Sequence, residues 1–134
     1  MKADKTLGLL TLARELAIAD PKFHSVLGPG EGDRRTQKFM RELRKRASSA
    51  FGEDYAERKV CGETSLAVDF YFPEEATIVE VALGLPNPGS EFEKDVLKAV
   101  MAQELGNSVR RLVFISRPGG ARKCQQPGRA AVIQ

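Results

Sequence analysis

The protein is a chain of 134 residues, of which 42% are hydrophobic and 29% charged. These proportions are typical of a globular protein, and the length favours a single domain, residues 1–134, with one core. No apolar run approaches the ~20 residues that span a bilayer, and charges interrupt the apolar N-terminus, so we expect neither a membrane partner nor a signal peptide. The net charge of +3 permits an anionic partner.

Cysteine and histidine are scarce. Cys61 and Cys124 are the two cysteines, without CxxC spacing, and His24 is the one histidine. We therefore expect no disulfide framework, no zinc site and no histidine-based metal cluster. We expect a reducing, cytoplasmic setting.

Two helices are predicted in the first part of the chain. Residues 4–19 have helical apolar spacing, with Asp4 as the N-cap and Asp20-Pro21 as the end. A short turn is expected at 21–27. The second helix is predicted for Asp33–Phe51, with Asp33 as its N-cap.

The second helix carries the strongest charge bias in the sequence. After Asp33, its span contains seven cations against one acid, Glu42. This bias is typical of a solvated helix face, and equally of a surface that contacts nucleic-acid phosphates. The seven cations are Arg34, Arg35, Lys38, Arg41, Arg44, Lys45 and Arg46.

The stretch from Thr64 to Leu83 has the pattern of a β-hairpin. Two apolar runs rich in Val, Ile, Phe and Tyr flank a short turn that contains proline. A four-residue turn, Pro73–Ala76, pairs Phe72 with Thr77, and a tighter two-residue turn keeps the same register. A short strand is also expected before the hairpin, near residues 58–60.

This register places two acids side by side. Asp69 falls opposite Glu80, with Cβ atoms about 5 Å apart. Two carboxylates flanked by apolar residues repel each other unless a cation or a shared proton lies between them. The pair therefore indicates a divalent metal site. The alternative is an edge strand on which both acids are solvated.

The chain after the hairpin predicts a helix and a buried strand. Ser90 caps a helix that runs to Leu105, with Phe92, Val96, Ala99 and Gln103 at helical spacing and Gly106 as the C-terminal stop. Residues 110–116 are predicted to form a strand. Residues 127–134 begin like a helix and stop abruptly, which indicates truncation at the C-terminus.

Together, the order of elements and the segments VDFY, TIVEVALG, SEFEKDVLKAVMAQELG and VRRLVFISRPGG resemble the PD-(D/E)XK nuclease superfamily. The resemblance covers roughly residues 62–120 and implies an α/β fold with a restriction-endonuclease-like core, a central mixed sheet of about four strands flanked by helices. In that family one hairpin strand carries an acid and the next carries Glu-x-Lys. Asp69 and Glu80 match the acids, whereas Ala82 stands at the lysine position and Val68 replaces the expected proline.

The missing lysine has two interpretations. Either the site is degenerate and the fold survives as a binding module, or a lysine has moved to the following helix, as is known within the superfamily. Lys94 and Lys98 are the candidates there. Both are also explained as ordinary helix residues that are solvated or paired with nearby acids.

The resemblance implies a Mg²⁺-dependent (or Mn²⁺-dependent) endonuclease that hydrolyses nucleic-acid phosphodiesters, with DNA as the expected partner. Asp69, Glu80 and the Val81 carbonyl would hold the metal, and Lys94 or Lys98 would assist catalysis. A homodimer is expected by analogy with the family. The alternative is a catalytically inactive module of the same fold that binds nucleic acid or a protein.

Overall fold

The computed structural model describes residues 4–20, 31–62, 66–81 and 88–115. The predicted turn at 21–27, Ala82 and the tail at 127–134 lie outside these ranges. The described residues form an α/β structure that divides into two compact units, a helical one and one built around a sheet. None of the described helices combines the length and apolarity needed to cross a bilayer.

The helical unit contains α1 (Asp4–Ala19) and α2 (Glu31–Phe51). Both helices carry apolar residues at helical spacing, and burying these residues drives their packing. The Phe51 ring lies so close to Gly8 that an added Cβ would be 3.2 Å from it, so glycine permits this approach. The buried apolar residues of the two helices are Leu9, Ala13, Phe39, Met40, Leu43 and Ala47.

The sheet unit contains four strands in the order β1-β2-β3-β4 among the described residues. They are β1 (Ala56–Arg58), β2 (Val68–Phe72), β3 (Thr77–Val81) and β4 (Arg111–Ile115). Strand β2 pairs antiparallel with both β1 and β3, and β4 pairs parallel with β3. The predicted mixed sheet of about four strands is therefore confirmed.

The predicted hairpin register is also confirmed. Phe72 pairs with Thr77, and a 3-10 turn at Pro73–Glu75 connects the strands. Ala76 closes the turn in the left-handed conformation, with its N–H bonded to the Pro73 carbonyl. Because the strands alternate side chains between faces, this register decides which residues share the face toward the next helix.

Helix α3 (Pro88–Glu104) makes the crossover that parallel strands β3 and β4 require. It ends at Glu104, and Gly106, the predicted C-terminal stop, follows with a left-handed φ of +90° that suits glycine. A core forms between α3, the sheet and the adjoining segments. Its buried residues are Val60, Cys61, Val68, Tyr71, Ile78, Ala99, Ala102, Val109 and Leu112.

Several predicted boundaries were wrong by two residues. Helix α2 begins at Glu31, so Asp33 lies inside the helix rather than before it. Helix α3 begins at Pro88 rather than Ser90, because proline lacks the N–H that a first helical position leaves unpaired. Strand β1 ends at Arg58, before Val60, whose carbonyl accepts a bond from the Asn107 side chain.

The buried side of α3 also differs from the predicted one. Ala99 and Ala102 are buried together with Asp95 and Lys98, whereas Gln103 is exposed. The apolar spacing thus located the helix and correctly placed Val96 and Ala99 toward the core, but it included exposed Gln103 and missed Asp95, Lys98 and Ala102. The difference matters because it turns two charged residues toward the sheet.

Candidate functional site

The hairpin joins Asp69 and Glu80 through the backbone of each other's strand. The Val81 N–H donates to Asp69 Oδ2 at 2.7 Å, and the Asp69 N–H donates to Glu80 Oε1 at 3.3 Å. One step beyond the Phe70–Val79 pair, the two acids are neighbours, as the alternation predicts. Each carboxylate is thus held by a strand N–H, and the two lie beside each other on the sheet.

A lysine from α3 reaches this pair. Lys98 Nζ lies 3.3 Å from Glu80 Oε2 and 2.9 Å from the Ala67 carbonyl oxygen. The Lys98 side chain is largely buried, which is rare for lysine unless it is paired. Lys94, one turn earlier, has an exposed side chain. The structure therefore brings Lys98, not Lys94, to the acids.

Asp95 is a third acid at the site, and the sequence analysis missed it. Its Oδ1 lies 3.3 Å from Lys98 Nζ, three residues along the same helix, and its side chain is also buried. The signal that would have found it is its position four residues before Ala99 and seven before Ala102, which places it on the inward side of α3.

The electrostatics of the site follow from its excess of acids. Burial raises the pKa of Glu80 to about 8, and the charges of Asp69 and Asp95 push it in the same direction. Burial by itself would lower the pKa of Lys98, but Glu80 and Asp95 outweigh this effect and raise it. Glu80 thus lies among two other carboxylates and one ammonium group, and this excess of acids favours the binding of a proton or of a further cation.

The donor set fits a magnesium ion. Carboxylate and backbone carbonyl oxygens are the ligands that Mg²⁺ prefers, and one or two protein carboxylates completed by water are its usual complement. Asp69 and Glu80 supply two. The described part of the chain contains no group of three or more His, Cys, Asp or Glu residues arranged around one metal position. A metal ion held by Asp69 and Glu80 would take its remaining ligands from carbonyl oxygens or water.

The segment before the hairpin is tied to the helix that carries Lys98. The thiol of Cys61 donates to the Lys98 carbonyl oxygen at 3.3 Å, and burial raises the pKa of that thiol. Cys61 is fully buried. This contact joins the segment before the hairpin to the backbone of α3 at Lys98.

The predicted basic residues of α2 do not share one surface. Arg44 is half-buried, Arg46 is exposed on another side, and the side chain of Arg35 lies outside the described residues. Four exposed cations fall within an arc of about 60° and extend for about 17 Å along the helix. We call these residues the basic stripe, and they are Arg34, Lys38, Arg41 and Lys45.

Comparisons with protein-family models, with curated protein sequences and with solved structures found no match to this chain.

Proposed function

We propose that this chain is a Mg²⁺-dependent or Mn²⁺-dependent nuclease of the restriction-endonuclease-like class that hydrolyses phosphodiester bonds, with DNA as its substrate. The observation that carries the proposal is the contact between Lys98 and Glu80. It supplies, from the following helix, the cation that the sequence lacks at Ala82, the position of the lysine in the resemblance.

The arrangement of the sheet unit supports this proposal. Three antiparallel strands, a crossover helix and a parallel fourth strand occur in the order that the resemblance implies. Asp69 lies on the first strand of the hairpin and Glu80 on the second. The two acids and the lysine thus come from three consecutive elements of one unit.

The chemistry assigns a role to each group. A bound divalent ion would lower the pKa of a coordinated water and stabilise the charge that develops on the phosphate. Asp69 and Glu80 would hold that ion. The Val81 carbonyl is a further candidate ligand, because the N–H and C=O of one strand residue point toward the same neighbour and the Val81 N–H faces Asp69. Lys98 would orient the water or neutralise a phosphate oxygen.

The basic stripe would supply affinity for the nucleic-acid backbone. It lies opposite the buried side of α2, which includes Phe39 and Leu43. A row of cations that contacts phosphates binds without reading the sequence. We therefore expect the substrate to be bound through its backbone. A homodimer, by analogy with the family, remains part of the proposal.

One observation favours the second candidate, an inactive module of the same fold. Lys98 has three N–H donors, and Glu80, Asp95 and the Ala67 carbonyl accept from all three positions. Such a closed set of contacts is also what a purely structural ion cluster would have. An inactive module would bind nucleic acid and leave it intact.

The test is plasmid nicking with Mn²⁺ and with Mg²⁺. We compare the parent with Asp69→Asn, Glu80→Gln and Lys98→Met, each close in shape to the residue that it replaces. Lys94→Met is the matched control, since it removes an exposed lysine from the same helix. The proposal expects nicking by the parent and the control, and its loss in the other three.

The other outcomes separate the alternatives. Loss in the two acid variants alone would assign catalysis to the metal without a lysine. A parent that binds nucleic acid but never cleaves it would favour the inactive module. Nicking that survives removal of both acids would place the reaction elsewhere in the chain.

A further inference from the structure

The Lys98 ammonium is held by groups that belong to different parts of the sheet unit. Glu80 is on β3, and Ala67 lies directly before β2. Asp95 is on α3 itself, three residues from Lys98. Of these three contacts, the one with Asp95 lies within a single helix, so the helix itself keeps the two residues close.

A divalent ion at Glu80 would compete with the Lys98 ammonium for the same carboxylate. Glu80 Oε1 is 3.3 Å from the Asp69 N–H and Glu80 Oε2 is 3.3 Å from Lys98 Nζ, so the metal position and the ammonium share one carboxylate. A divalent ion draws negative charge from Glu80 and repels the ammonium. Metal binding thus weakens the contact of Lys98 with the hairpin.

Asp95 responds differently. It is paired with Lys98 within α3, where residues three apart are neighbours on the helix surface. The Lys98 ammonium stabilises the ionised, buried carboxylate of Asp95, and it does so whether or not Glu80 also contacts the ammonium. The Asp95–Lys98 contact therefore persists when Glu80 no longer holds the ammonium.

We propose that Asp95 is a positioning residue, which keeps the Lys98 ammonium at the site when Glu80 binds the metal. The N–H that Glu80 releases is then available to a phosphate oxygen or to the attacking water. Without Asp95, the ammonium would keep its bond to the Ala67 carbonyl but would lose the carboxylate charge that holds it at the site. This inference rests on the proposed function, because it assumes that Asp69 and Glu80 hold a divalent ion.

The test compares Asp95→Asn with the parent. Glu104→Gln is the matched control, because it removes an exposed acid from the same helix. Asp95→Glu tests rescue by a retained charge. We expect kcat for nicking to fall by roughly 10-fold to 100-fold in Asp95→Asn, with KM unchanged, since residues that orient a functional group typically have effects of this size. Asp95→Glu should recover a large part of the loss.

A second measurement does not depend on cleavage. The ¹⁵N-labelled ammonium of Lys98, assigned by its absence in Lys98→Met, gives an NMR signal when hydrogen bonds slow its exchange. We expect this signal to persist in the parent on addition of Mg²⁺ alone and to disappear in Asp95→Asn. Calorimetry should give the same Mg²⁺ affinity for both proteins.

Each result has one meaning. A parent that neither binds Mg²⁺ nor cleaves overturns the proposed function and this inference with it. A parent that does both, with Asp95→Asn equal to it in kcat and in the ammonium signal, overturns this inference alone. A Mg²⁺ affinity that falls in Asp95→Asn would make Asp95 a metal ligand instead. If Asp95→Asn fails to fold, Asp95→Glu decides. This variant keeps the carboxylate, so the inference expects it to keep both nicking and the ammonium signal. Loss of both in a folded Asp95→Glu would overturn the inference.

Discussion

The buried carboxyl of Glu80 predicts that the protein loses stability as the pH rises. Its pKa is raised from the ordinary 4.5 to about 8, chiefly by burial. The folded state therefore binds the proton more tightly than the unfolded state does. The stabilisation that this provides is complete below pH 4.5 and is lost as the pH rises through about 8.

The size of the effect follows from the two pKa values. Between pH 5 and pH 9 the titration of this one group lowers the free energy of unfolding by about 4 kcal/mol. A domain of this size has a total free energy of unfolding of about 5–15 kcal/mol, so the loss is large enough to measure. Glu80→Gln imitates the neutral carboxyl and should remove this dependence.

The assay is urea unfolding of the parent and of Glu80→Gln, in metal-free buffer, at intervals between pH 5 and pH 9. The two proteins should be about equally stable at pH 5, and the variant should be the more stable by about 4 kcal/mol at pH 9. Comparing the pair cancels the other titrating groups. A variant less stable than the parent at pH 9 would refute the reasoning, because it would mean that ionised Glu80 stabilises the fold.

Two further predictions concern other parts of the chain. Replacing the residues of the basic stripe with Ala should flatten the salt dependence of duplex DNA binding by about 0.9 in slope for each phosphate interaction removed, whereas Arg46→Ala, on another side of α2, should leave it unchanged. Equal effects of the stripe and of Arg46 in fluorescence anisotropy would contradict a defined row of phosphate-binding residues. Tyr71→Phe removes the bond from the tyrosine hydroxyl to the Ser108 carbonyl, 2.9 Å long, and should lower the free energy of unfolding by about 1 kcal/mol in urea. An unchanged midpoint would mean that water replaces this bond.

The hairpin could be predicted from the sequence because its determinants are local. Strand side chains repeat every two residues, and Pro73 restricts the turn, so a shift by one residue would move the apolar side chains to the wrong face. The pairing of Phe72 with Thr77 follows, and the neighbouring positions of Asp69 and Glu80 follow from that. The part of the site that the hairpin contributes, Asp69 and Glu80, could therefore be predicted from the sequence.

The contribution of α3 could not be predicted in the same way. Lys94 and Lys98 are one turn apart and differ by only about 40° around the helix, so periodicity does not separate them. What selects Lys98 is the packing of Ala99 and Ala102 against the sheet, which depends on the path of the crossover from β3 to β4. Asp95 depends on the same rotation of the helix. Tertiary contacts, not local pattern, place this half of the site.

The last prediction concerns the charged cluster of Glu80, Asp95 and Lys98, and it tests whether the fold needs these charges for stability. Buried ion pairs seldom stabilise a protein more than apolar or neutral groups of the same volume, yet removing one partner leaves an uncompensated charge. Lys98→Met leaves Glu80 and Asp95 facing each other and should lower the free energy of unfolding by about 3–5 kcal/mol at pH 8. Lys98→Arg, which keeps the charge, is the control and should lose less.

The triple variant Glu80→Gln, Asp95→Asn, Lys98→Met removes all of the charges that meet at Lys98 Nζ while keeping the volumes of the side chains. It should regain the stability that Lys98→Met loses, and exceed the parent by up to about 4 kcal/mol in urea at pH 8. A neutral site that is as stable as the charged one would mean that the fold does not require these charges, and their presence is then explained by binding or catalysis. If the triple variant is as unstable as Lys98→Met, the cluster is a requirement of the fold, and the inactive module becomes the better account of this chain.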